Sequence, residues 1–101
     1  MANYTPLSSD AWGKILVGAV SAEMLLDHRF CGIRYKVNYP NGYGVSIIKN
    51  MISYGGDYDL WEIAVLKDNK LCYDTHITSD VIGFLSDDKV ADYCQQIRCL
   101  H

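Results

Sequence analysis

Basic residues are scarce in this chain: Lys and Arg together number 9 against 12 Asp and Glu, a formal net charge of −3. Phosphate binding draws on clustered Lys and Arg, so this balance argues against a general nucleic-acid binder and favours a protein partner. Long apolar runs are missing as well. The longest, residues 15 to 26, has Lys14 at its edge and Glu23 within it. It falls short of the roughly 20 residues that span a bilayer, so no membrane partner is expected. The four cysteines Cys31, Cys72, Cys94 and Cys99 are dispersed through the chain, and no secretory leader is expected before them. They are read as reduced thiols in a cytoplasm. The depleted, highly charged composition of disorder is also lacking, since 50% of residues are hydrophobic and 21% charged.

What remains is a chain of 101 residues, one domain's worth, long enough to build a core of its own. Ser8, Ser9 and Asp10 offer capping oxygens, and residues 11 to 28 carry Trp12, Ile15, Leu16, Ala19, Val20 and then 22 to 26 without proline, which predicts a helix. Its apolar residues spread around the wheel, and Gly18 and Ala22 would form a small-residue pair one turn apart. Such a helix needs cover on more than one side, so a homodimer through Trp12, Leu16, Val20 and Met24 is expected. From Phe30 the period changes to two, with Ile33, Tyr35, Val37 and Tyr39 alternating against Arg34, Lys36 and Asn38. Pro40-Asn41-Gly42 then turns the chain into Tyr43, Val45 and Ile47, a β-hairpin. A short extended piece at 51 to 54, a strand over 60 to 66, a polar turn at 67 to 70 and a strand over 71 to 74 complete a meander. Ser86 caps a last helix, to about residue 99, whose Val90, Tyr93, Cys94 and Ile97 follow helical spacing. The expectation is a single α+β domain over residues 1 to 101: one antiparallel sheet of about four strands with an N-terminal and a C-terminal helix packed against it.

The stretch SYGGDYDLWE contains a Gly-Gly pair that could cradle a phosphate. A phosphate loop opens a helix and brings a cation, whereas Gly55-Gly56 leads into a strand and is followed by Asp57 and Asp59. It is read as a tight turn that presents tyrosines. Tyr39, Tyr43, Tyr54 and Tyr58, with Asp57 and Asp59, are the candidate partner-binding residues, because exposed Tyr contributes strongly to interfaces. Cys94, Cys99 and His101 have the spacing C-x4-C-x-H of three zinc ligands, but Cys94 also lies on the apolar stripe of the last helix. Cys72 and His76 have no orienting third group. Asp74, His76, Thr78 and Asp80 could serve a small hydrolase or a cation, yet Thr, Ser and Asp also bond to their own backbone in connections. No catalytic set, metal or cofactor is expected.

Charge is unevenly placed. Residues 57 to 92 hold nine acidic groups against Lys67, Lys70 and Lys89, whereas residues 14 to 49 hold five basic groups against Glu23 and Asp27. A separated acidic surface can steer a protein toward a basic channel on a partner, with mimicry of DNA as one form of this. The blocks NGYG, SYGG, LWE-AVL, LCYDT and IT-DVIG-L within residues 41 to 90 resemble those of small uncharacterised proteins encoded by bacteriophages. The resemblance implies a short phage accessory product in an infected bacterial cell. Residues 1 to 40, the apolar helix and first strand, lie outside it. Together these observations lead to an expected function of binding and inhibiting a host bacterial protein, such as a CRISPR nuclease complex, by occupying its surface. The other readings are a small hydrolase or metal-dependent enzyme, and a virion structural or assembly module.

Overall fold

Residues 4–101 are described by the structure, a computed structural model. Among them, α1 (Ser9–Ile15) is followed by β1 (Ser21–Asp27), β2 (Gly32–Asn38), β3 (Tyr43–Lys49), β4 (Trp61–Lys67), β5 (Lys70–Leu71), β6 (Ile82–Leu85) and α2 (Asp87–Arg98). The strands make one antiparallel sheet in the order β1-β2-β3-β4-β5, with β6 also pairing with β4, so the fold is α+β. Alternation along the strands decides its inner face. Ile33, Tyr35 and Val37 of β2, Val45 and Ile47 of β3 and Trp61, Ile63 and Val65 of β4 are all buried there. Val90, Ala91, Cys94 and Ile97 on α2 cover β3 and β4, while Trp12 on α1 lies 4.8 Å from the Tyr35 ring over β2.

The hairpin between β2 and β3 forms as the sequence predicts. The Tyr39 N–H donates to the Tyr43 carbonyl at 2.8 Å, and Gly42 takes φ +86°, the left-handed conformation that closes a three-residue loop. Asn41 ties this turn to the far end of the chain. Its Nδ2 donates to the Ile97 and Leu100 carbonyls, both at 3.0 Å, at the otherwise unsatisfied C-terminus of α2. At the other end of α2, Ser86 Oγ accepts the Lys89 N–H, and Asp87 and Asp88 stand on the positive end of the helix dipole.

The N-terminal half departs from the expected helix over residues 11 to 28. Ser8 caps α1 as anticipated, but the helix stops at Ile15, and Gly18 takes φ +74° in the turn that follows. Glycine adopts this left-handed geometry without steric cost, which makes it a stop signal. Residues 21–27 then pair with the whole of β2, from Ser21 opposite Asn38 to Asp27 opposite Gly32. Ala, Met and Leu favour helices, but seven residues of ladder on the open edge of β2 outweigh that preference. Gly18 and Ala22 therefore do not share a helix face. Trp12 and Leu16 are half-buried at α1, whereas Val20 and Met24 are exposed in the turn and on the edge strand. The strand count also rises from about four to six, because β1 and β6 were not foreseen. Residues 51–54, expected to be extended, form turns instead.

Candidate functional site

The loop between β3 and β4 is built around Asn50. Its Oδ1 accepts the N–H groups of Ile52 and Ser53 at 2.9 and 2.8 Å, and its own N–H donates to Ser53 Oγ at 2.9 Å. This self-bonded turn is the local reason residues 51–54 do not extend. Gly55 follows at φ +96°, where a Cβ would meet Phe84 N and Cα at 2.8 Å, so only glycine lets β6 approach. A single 3-10 turn, Gly56–Tyr58, and the Leu60 N–H bond to the Gly55 carbonyl at 2.9 Å close the loop onto β4. The Gly-Gly pair is thus a rigid turn: the Gly56 N–H donates to the Ser53 carbonyl at 3.1 Å, and the Gly55 carbonyl accepts from Tyr58 and Leu60.

Rigidity here displays aromatic rings. The Tyr54 N–H donates to Glu62 Oε1 at 2.9 Å and its carbonyl accepts from Phe84 N at 3.1 Å, which locks the loop to β4 and β6. Tyr54, Tyr58 and Phe84 are all exposed, and the Tyr58 and Phe84 rings lie 6.1 Å apart. Met51 and Ile52 are exposed on the same loop. Phe84 has φ +58°, a conformation that is an outlier for a bulky residue and costs about 1 kcal/mol or more. The fold therefore holds a large apolar ring outward at a local backbone cost. Sequence reading found Tyr54 and Tyr58 but missed Phe84, because its exposure follows from the left-handed backbone inside β6.

The other expected interface residues part company. Tyr39 and Tyr43 are buried and do not belong to the surface; the Tyr39 hydroxyl donates to the Ile15 carbonyl at 2.6 Å, anchoring α1 to the sheet. Burial raises the Tyr39 pKa, so the phenol stays protonated. Asp57 is exposed beside the platform. Asp59 instead turns to Lys49, whose side chain is only 2% exposed: their Nζ and Oδ1 are 3.1 Å apart. Lys49 Nζ also donates to the Thr5 carbonyl at 2.9 Å and sits 4.0 Å from the centre of the Trp61 ring. Burial works against the Asp59 carboxylate, but bonding from Thr5 and the nearby ammonium prevail and hold its pKa below the usual range. Asp87 is likewise used internally, accepting Trp61 Nε1 at 2.7 Å and Ser8 N at 2.9 Å. Part of the acidic excess in residues 57 to 92 therefore holds the fold.

Cys94 is buried on α2, and burial pushes its thiol up to about 12, while Cys99 is exposed just past the helix. Among the described residues no three His, Cys, Asp or Glu side chains gather as a metal site. Asp74, His76, Cys99 and His101 line one shallow hollow with Tyr43. Thr78 Oγ1 bonds the backbone of Asp80 in both directions, at 2.8 and 3.0 Å, and Asp80 Oδ1 accepts the Val81 N–H, so both are engaged as turn residues. No described helix is long and apolar enough to cross a membrane. No protein-family model, curated protein or solved structure matches this chain.

Proposed function

We propose that the protein is a bacteriophage accessory product that binds and inhibits a host bacterial protein by covering its surface, in the cytoplasm of the infected cell. The target class is bacterial defence, of which a CRISPR nuclease complex is an example. The observation that carries this reading is the platform of Tyr54, Tyr58 and Phe84, three exposed rings on a loop and strand bonded to each other and to β4. Aromatic anchors held rigid lose little entropy on binding, which is what hot spots of protein interfaces require. The phage-like sequence blocks supply the biological setting, and Asp57 at the rim adds charge for a basic partner.

The test is affinity purification from the bacterial host, followed by assay of the captured protein's activity with and without this chain. A stoichiometric host partner whose activity falls on binding is the expected result. Tyr54→Ala with Tyr58→Ala should weaken capture by roughly 2 kcal/mol or more, with the melting temperature held within a few degrees. Phe84→Asn should also weaken capture while leaving stability unchanged or slightly improved, since Asn tolerates the left-handed backbone. Copies in purified virions without a host partner would instead support the assembly reading.

A further inference from the structure

We propose that β1 is a dimerisation edge: two copies join β1 to β1 antiparallel about a two-fold axis, making one continuous sheet. The ladder shows which backbone groups are free. The Tyr39 N–H bonds to the Tyr43 carbonyl one step beyond the Asn38–Gly44 pair, and the Asn38 carbonyl accepts the Val20 N–H on the β1 side, so alternation makes Val37, Tyr35 and Ile33 the residues that bond to β3. Asn38, Lys36, Arg34 and Gly32 then bond outward to Ser21, Glu23, Leu25 and Asp27. Ala22, Met24 and Leu26 are left with their N–H and C=O groups directed away from the sheet.

Side chains at the same three positions form an uncovered apolar row. Ala22, Met24 and Leu26 pair with Val37, Tyr35 and Ile33 and so lie on the core side of the sheet. The helices cover β2, β3 and β4 but leave this row open, with Met24 52% and Leu26 62% exposed. Edge strands normally discourage pairing with lysine, proline or a very short length. β1 runs for seven residues and carries neither lysine nor proline.

The occupant is a second copy because the strand is self-complementary in one register. Free groups meet free groups only when even-numbered residues face even-numbered residues. Centring the pair on Glu23 sets Glu23 against itself, and centring it on Leu25 sets Glu23 against Asp27. Centring it on Met24 sets Met24 against Met24, Ala22 against Leu26, Glu23 against Leu25 and Ser21 against Asp27. That register bonds all three free residues and places no like charges opposite each other. A two-fold axis at Met24 also keeps both helix layers on the same side, so the two apolar rows merge beside Trp12 and Tyr35. This is independent of the aromatic platform, which lies on the β4–β6 side of the sheet.

Sedimentation at roughly 50 µM, suited to a dimer of modest affinity, should show a dimer for the wild type. Met24→Lys puts two ammonium groups face to face at the axis and should weaken the dimer at least about tenfold, with the circular dichroism unchanged because the side chain is exposed in the monomer. A register test covers the case in which that variant fails to fold. A Cα separation of about 5.5 Å in a bonded pair suits a disulfide. In a background with Cys31 and Cys99 replaced by Ser, Met24→Cys should therefore cross-link on oxidation and Leu26→Cys should not. Monomeric wild type, a dimer indifferent to Met24→Lys, equal cross-linking at both positions, or a different protein paired to β1 of a monomer would each overturn the proposal.

Discussion

Replacing Asp59 by Asn should destabilise the protein more than replacing its partner Lys49 by Met. The two members of the pair are unequally placed: the Lys49 side chain is 2% exposed and that of Asp59 47%. Removing one partner from a buried ion pair costs about 3–5 kcal/mol, because the remaining charge stays buried without compensation. In Asp59→Asn that remaining charge is the ammonium. It keeps the Thr5 carbonyl and the face of Trp61, which reduces the expected loss to about 2 kcal/mol. For a domain of this size that corresponds to a fall of about 8–16 °C in melting temperature. In Lys49→Met the charge left behind is a carboxylate open to water and still bonded to the Thr5 N–H, and the new side chain rests on Trp61. The expected cost is under about 1 kcal/mol. Acid dependence follows with a definite sign. The folded-state pKa of Asp59 is depressed, so its contribution is complete above the ordinary carboxylate pKa and is lost as pH falls through the folded value. Thermal melts of the wild type and both variants at neutral pH and on the acid side of that carboxylate test the reasoning. Both variants should show a shallower acid decline. A Lys49→Met variant as unstable as Asp59→Asn, or more so, would refute the argument from unequal burial.

Thiol labelling should separate the cysteines: Cys31 and Cys99 react quickly in the native protein, whereas Cys94, buried and with its thiol raised to about 12, reacts only on unfolding. Denatured protein purified without reductant should yield all four free thiols, and protection of fewer than one native thiol would contradict the placement of Cys94. Asn41→Ala removes two bonds to the end of α2 and the bond its Oδ1 accepts from the Tyr43 N–H, and should cost about 2 kcal/mol in urea unfolding. A loss below about 0.5 kcal/mol would mean that water replaces those contacts fully.

The β2–β3 hairpin was readable because three local signals agree there: alternation in both strands, proline at the turn and glycine where the backbone turns left-handed. The same holds for α2, where Ser86, the two aspartates and the helical stripe point one way. Local signals conflict over residues 18 to 27. Helix-favouring side chains follow a glycine stop, and a window of neighbours alone gives no weight to the distant edge of β2. Two of the three exposed rings, Tyr54 and Tyr58, were legible, but tyrosines look alike in sequence whether they line a core or a surface. Tyr39 and Tyr43 went inward because the period-two register of the hairpin aims them under α1 and α2.

Composition, periodicity and turn chemistry by themselves determined an α+β domain with a central hairpin, a capped final helix and a Gly-Gly loop that leads into a strand. Tertiary structure decided that residues 21–27 are a strand, that Lys49 and Asp59 are joined, and that Phe84 stands outward beside Tyr58. The physical reason is range. Turns and helix caps are settled by atoms a few residues apart, whereas strand pairing, burial of a charge and a strained backbone are settled by groups distant in sequence, whose contacts repay local costs only once the sheet has assembled.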